Sequence, residues 1–88
     1  MLTLKIVSPE RVEFEGTVKS VSVPGTLGNF EILDNHAPII SSLEKGMVER
    51  VETNGERVSI NITGGFVEVQ KNVVSMCVEI DNETVDNE

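Results

Sequence analysis

The chain has 88 residues, enough for one domain of radius of gyration roughly 12 Å and too few for two. Fifteen acidic against seven basic side chains give a net charge of −8, and Phe14, Phe30 and Phe66 are the only aromatics of the Phe, Trp and Tyr types, so the composition argues against a nucleic-acid-binding surface. Cys77 is the single cysteine, so no internal disulfide can assist a core this small.

The chain opens on Met1-Leu2-Thr3-Leu4-Lys5, which lacks the basic region and continuous apolar run of a signal peptide. No later run approaches 18 apolar residues, and the sequence reads as that of a soluble, intracellular protein. In that setting the Asn61-Ile62-Thr63 and Asn82-Glu83-Thr84 matches to the glycosylation pattern carry no weight. Leu2, Leu4 and Ile6 alternate with Thr3 and Lys5, the period-two signature of a half-buried strand. Ser8-Pro9-Glu10 punctuates, Val12 and Phe14 resume the alternation, and after Gly16 the segment from Thr17 to Pro24 reads as a further strand. Breaks follow at Pro24-Gly25-Thr26-Leu27-Gly28, Asp34-Asn35-His36 and Lys45-Gly46.

Thr53-Asn54-Gly55-Glu56 is the strongest turn signal, because Asn-Gly tolerates positive φ at both central positions of a two-residue hairpin. It is expected to join Met47–Glu52 to Arg57–Ile62 as an antiparallel pair. Gly64-Gly65 reads as a turn or a close backbone approach, Val67 and Val69 as strand, and Lys71-Asn72 as a turn. Val74, Met76, Val78 and Ile80 then alternate with Ser75, Cys77 and Glu79. Residues 81–88 carry Asp81, Glu83, Asp86 and Glu88 and one apolar side chain, Val85, and are expected to fray. Short strands at even spacing, with no stretch left for a long helix, give an all-β class: a sandwich or flattened barrel over residues 1–80.

Catalytic chemistry has little to stand on. His36 is the only histidine available as a base, and it sits in a turn beside Pro38. Cys77 is expected to act as a small buried hydrophobe rather than a reactive thiolate. A zinc site needs about four Cys or His ligands, and the chain has two such residues. The acidic tail lacks the glycine and bidentate glutamate that shape a calcium loop, and the Gly25–Gly28 segment lacks the Gly-Lys-Ser/Thr of a phosphate loop.

Three ordered motifs are more specific: Val23-Pro24-Gly25-x-x-Gly28-x-Phe30, then Ile32-Leu33-x-x-His36-Ala37-Pro38, then Gly64-Gly65-Phe66-x-Glu68-Val69. Together with the opening Leu4-x-Ile6-Val7-Ser8-Pro9 strand and the Phe14-x-Gly16 turn, they make residues 2–80 resemble the epsilon subunit of bacterial F-type ATP synthases, the delta subunit of mitochondrial enzymes. The resemblance implies a flattened barrel or sandwich of about ten short, mostly antiparallel strands in two sheets. It further implies a rotor component without catalytic residues, cofactor or metal, present once per complex, that clamps the gamma subunit and rests on the c-ring. In that role it couples rotation to ATP synthesis on other chains, at the cytoplasmic face of the bacterial inner membrane and without a transmembrane segment.

Carried over by position, the gamma contacts are Ser8, His36, Ser41 and Met47, and the c-ring contacts are Thr26, Leu27, Gly28, Asn29 and Glu31. The sequence ends at Glu88, whereas most of the family continues into two helices that carry inhibition of hydrolysis and, in some members, ATP binding, so those activities are not carried over. Asn29 stands where look-alikes usually have an acid, and Glu31 where they usually have glycine. In extended chain the two share a face, with Phe30 turned to the buried one, so Glu31 is expected to supply the displaced charge. A free-standing sandwich that binds a small ligand is the alternative, though three phenylalanines expected at inward positions leave few for a pocket. A hydrolase built on His36 has the weakest grounds.

Overall fold

The structure, a computed structural model, describes residues 1–82. Of the tail expected to fray over residues 81–88, residues 83–88 lie outside the described residues, whereas Asp81 donates its N–H to the Asn61 carbonyl at 2.9 Å. Alternating side chains fold as the period-two rule dictates: β1 (Leu2–Val7) buries Leu2, Leu4 and Ile6 and exposes Thr3 and Lys5. β2 (Val12–Gly25), β3 (Gly28–Ile32), β4 (Ile39–Leu43), β5 (Gly46–Glu52), β6 (Arg57–Gln70) and β7 (Val73–Ile80) follow, and no helix occurs among the described residues.

All pairings are antiparallel except that of β1 with β7, which is parallel and runs from Thr3↔Val73 to Val7↔Cys77. Because β1 also pairs with β2, the series β1, β2, β5, β6, β7 closes on itself and these strands form a flattened barrel. β3 pairs with β2 alone, and β4 lies along β6 with one further link, Leu43 to Gly25.

Among the described residues seven strands, rather than about ten, build the sandwich. Gly16 and Gly64-Gly65, expected as breaks, lie inside strands instead of ending them, so β2 and β6 each run 14 residues and serve both sheets. β2 pairs with β1 through Val12–Val18 and with β3 through Val21–Gly25, whereas β6 pairs first with β5 and then with β4. Register shifts between Val18 and Ser20 on β2, and between Ile62 and Gly64 on β6, mark where each long strand passes from one sheet to the other.

The Met47–Ile62 hairpin forms as expected, with Val51 opposite Arg57 and Val48 opposite Ile60. Its turn differs. Only Gly55 has positive φ (91°), Gly55 N–H donates to the Glu52 carbonyl at 2.8 Å, and Asn54 Oδ1 accepts from Glu56 N–H at 2.9 Å. Asn54 thus acts through its side chain, and the connection spans Thr53–Glu56. The tight turn with positive φ at both central residues is Lys71-Asn72 (53° and 63°), between Gln70 and Val73.

The core gathers one face of every strand: Leu2, Leu4, Ile6, Val18, Val21, Val23, Ile32, Leu43, Val48, Ile62, Val67, Val69, Val74, Met76 and Val78 are all buried, with Phe14, Phe30, Ile39, Ile60 and Ile80 packed against them. Burying each such aliphatic side chain contributes about 1.5–3 kcal/mol before the entropy of ordering is subtracted. At one end of the barrel the Arg50 guanidinium lies 3.8 Å over the Phe14 ring and its Nε donates to Glu52 Oε2 at 2.8 Å, so the charge that covers the core is itself neutralised.

At Gly65 the backbone of β7 lies where a side chain would stand. The glycine's φ is 149°, and a Cβ there would collide with the Cys77 carbonyl oxygen and lie 2.8 Å from Val78 Cα. Gly65→Ala should therefore lower the unfolding free energy by about 2 kcal/mol or more, read as a fall in the urea midpoint. An unchanged midpoint would show that the two strands can separate there without loss.

Candidate docking surfaces

Directly paired residues share a face, so the register defines what each sheet presents outward. On the sheet of β1, β7, β6 and β4, one outward row runs Val7, Cys77, Phe66, Ser42, and the next runs Lys5, Ser75, Glu68, Ile40. Phe66 is 53% exposed and Ile40 75%, and Val7, Ser8, Pro9, Phe66 and Cys77 line a shallow, mainly apolar groove. Two expectations are corrected here. Cys77 is exposed, and Phe66 points outward. Both follow from phase: Phe66 is in step with Glu68 and Gln70, and Cys77 with Ser75 and Glu79, so each falls on its strand's polar face despite its own apolar character.

The other outward face carries more acidic side chains, with Leu27 and Met47 exposed at its margin. Ser22 lies between Glu31 of β3 and Glu49 of β5, and Glu49 accepts from Arg57 at 3.3 Å. Asn29 and Glu31 are both exposed on β3 and Phe30 is turned against the core, the arrangement that extended chain requires. Thr26 and Leu27 form the exposed tip of the β2–β3 hairpin, and Gly28, at φ 124°, closes it. Thr26, Leu27, Gly28, Asn29 and Glu31 thus form one continuous exposed margin, and Met47, 49% exposed, joins it across a groove also lined by Ser22, Phe30 and Glu49.

Ser8, His36 and Ser41 lie elsewhere. Ser8 follows β1, and its Oγ accepts from the Glu10 and Arg11 amides at 3.3 Å each and donates to Glu13 Oε2 at 2.8 Å, so it shapes the β1–β2 turn. Ser41 is half-buried on β4 opposite Val67, and its Oγ donates to the Ser42 carbonyl at 3.1 Å. His36 is half-buried in the loop of residues 33–38, its ring 6.5 Å from that of Phe30 and its Nδ1 donating to the Ala37 carbonyl at 2.7 Å. Since β1 begins beside Asn72 and ends just before Ser8, while the His36 loop bonds to Asn72, Ser8 and His36 lie at opposite ends of the sheet. Met47 keeps company with the hairpin margin rather than with either.

Among the described residues no group of three or more His, Cys, Asp or Glu side chains is placed to hold a metal ion, and no helix is long and apolar enough to cross a membrane.

Comparison with known proteins is consistent with this architecture. Residues 1–80 match the family model described as ATP synthase, Delta/Epsilon chain, beta-sandwich domain. The chain belongs to this family. An ATP synthase epsilon chain of Leptospira borgpetersenii is 40% identical over 79 residues, covering 89% of this chain and 61% of that protein, and one of Nitratiruptor sp. is 42% identical over 78 residues, covering 89% and 60%. The chain thus spans about three-fifths of the length of the curated relatives it matches. Among solved structures, a chain of the Euglena gracilis mitochondrial ATP synthase (OSCP/F1/c-ring) superposes with TM-score 0.83 at 20% identity, covering 88% of this chain and 49% of that one. One from the central stalk/c-ring of the Tetrahymena thermophila enzyme gives 0.73 at 16%, covering 89% and 63%.

The exposure of Cys77 is directly measurable. The folded protein should take up one equivalent of a thiol reagent such as dithionitrobenzoate without denaturant, at a rate close to that of the unfolded chain. Protection by about a hundredfold or more, the behaviour of a thiol released only by unfolding, would return Cys77 to the core.

Proposed function

We propose that the chain is a non-catalytic rotor subunit of an F-type ATP synthase, docking the gamma subunit and the c-ring and coupling ion-driven rotation to ATP synthesis on other chains. The observation that carries this reading is the sequence match over residues 1–80 to a family whose curated relatives here are ATP synthase epsilon chains. The outward faces support it: an apolar row with Phe66 and Cys77 on one sheet and an acidic margin with Glu31 and Glu49 on the other offer area for protein contact. In this role the chain is peripheral to the cytoplasmic face of the bacterial inner membrane, held there through the c-ring.

Of the proposed gamma contacts, His36 has the most to offer a partner. Its loop carries the rigid Ala37-Pro38 step, so little ordering entropy is lost on docking, and its Nδ1 is already engaged, which fixes the ring and leaves Nε2 as the second polar atom. Ser8 and Ser41 make their hydrogen bonds within the chain, and on this reading they contribute shape. Tagged chain should co-purify with gamma in a membrane-associated assembly, and His36→Ala should weaken that assembly by about 1 kcal/mol or more if the ring is desolvated at the contact. Failure of the wild-type chain to recover gamma defeats the assignment, and wild-type affinity of a folded His36→Ala variant removes His36 from the interface.

At the c-ring margin, Glu31 takes the place of the acid missing at Asn29, two residues along on the same exposed face. An exposed ion pair with a basic partner loop is worth about 0.2–1 kcal/mol and fades with salt, so it tunes register and docking rate. Glu31→Lys should impair ring binding more than Glu31→Gln, with the difference shrinking at high salt. The double change Asn29→Asp with Glu31→Gly should retain binding. Equal affinity of the Lys and Gln variants at low salt would show that the charge has no role.

A further inference from the structure

Three non-glycine residues have positive φ among the described residues: Asn35 (65°), Lys71 (53°) and Asn72 (63°). They belong to two turns far apart in sequence, the β3–β4 loop and the β6–β7 hairpin, and a hydrogen bond joins the two. Asn35 N–H donates to Asn72 Oδ1 at 2.7 Å. Asn72 also uses its carbonyl, which accepts from Thr3 N–H of β1 at 2.9 Å. One residue therefore ties together the start of β1, the β6–β7 hairpin and the loop that carries His36.

We propose that Asn72 is a positioning residue for gamma docking: its side-chain oxygen holds the 33–38 loop in the conformation that presents His36. This rests on the reading of His36 as a gamma contact. Physical grounds for the choice of residue are twofold. Position 72 needs left-handed backbone, which glycine adopts without strain and asparagine tolerates. It also needs an acceptor within reach of the Asn35 amide, which glycine lacks. Asparagine meets both demands. On the other side of the bond, Asn35 takes up left-handed backbone immediately before His36, so a bond to its amide sets the direction in which the chain enters His36. The Leu33 carbonyl accepts from His36 N–H at 3.2 Å, a longer contact within the loop itself. Holding the loop in its docking conformation before encounter raises apparent affinity by the factor by which the competent population rises.

Asn72→Gly separates this role from a structural one, because glycine satisfies the hairpin's backbone and removes only the acceptor. Asn72→Asp keeps the acceptor and a side chain that tolerates the left-handed region. With the full chain, three quantities are measured: the melting temperature, the exchange rate of the Asn35 amide by NMR, and association with the isolated gamma subunit. For Asn72→Gly the melting temperature should stay level or rise, Asn35 exchange should accelerate about tenfold or more, and gamma affinity should fall about fivefold or more, chiefly through slower association. Asn72→Asp should restore exchange and affinity together.

Unchanged Asn35 exchange in Asn72→Gly overturns the proposal, as does faster exchange with wild-type affinity, or an Asp variant as weak as the Gly variant. A parallel His36→Ala measurement separates the two levels. If His36→Ala weakens gamma binding and Asn72→Gly does not, the positioning role alone fails; if His36→Ala binds as wild type, the interface reading fails and the docking role of Asn72 falls with it.

Discussion

The parallel pairing of β1 with β7 is the constraint on which the rest of the fold depends. Both of its neighbours claim β1, β2 on one edge and β7 on the other, and this insertion converts an open run of strands into a closed barrel. Closure gives both of its edges ladder partners and buries Leu2, Leu4 and Ile6 against Val74, Met76 and Val78. Without it β1 and β7 would each present an unpaired edge, and the row from Val7 through Cys77 to Phe66 would be broken between Val7 and Cys77. The outward faces inherit their alignment from the same register. A slip of one residue between β1 and β7 would turn the core side chains of β1 to solvent.

The two outward faces differ in emphasis: one carries the Val7, Cys77 and Phe66 row, the other the Glu31 and Glu49 margin beside exposed Leu27 and Met47. The apolar row favours a contact whose stability comes from excluded water and tolerates salt. The Glu31 and Glu49 margin favours one that is steered by charge and weakens with salt. On the proposed reading, a chain that stays attached to one neighbour while registering on another has use for both kinds of surface.

Much of this was legible in the sequence, because period-two alternation is a local signal. The inward faces of β1 and β7, the Met47–Ile62 hairpin and the outward placement of Asn29 and Glu31 all follow from residue phase. The failures share a cause. Gly16 and Gly64-Gly65 look like breaks to a local reading, yet in the fold they let 14-residue strands cross from sheet to sheet, a demand made by distant strands. For Cys77 and Phe66, residue type points inward while strand phase points outward, and phase prevails. Lys71-Asn72 signals a turn but not its backbone, since lysine is not a usual marker of positive φ, and the link from Asn72 to Asn35 spans 37 residues. The motifs located the loops, but the separation of Ser8 from His36, and the company Met47 keeps with the hairpin margin, depend on register that no motif encodes.

Pairing the first strand with the last also sets a schedule for synthesis on the ribosome. Translation at about 5–20 residues per second puts roughly 4–14 s between the appearance of β1 and that of its β7 partner. Throughout that interval β1 has only β2 to pair with, and its three core side chains lack the strand that covers them. The nascent chain therefore carries a half-paired, apolar amino-terminal hairpin until its final strand is made, a state open to chaperone capture that ends only when Val73–Cys77 becomes available to close the ring.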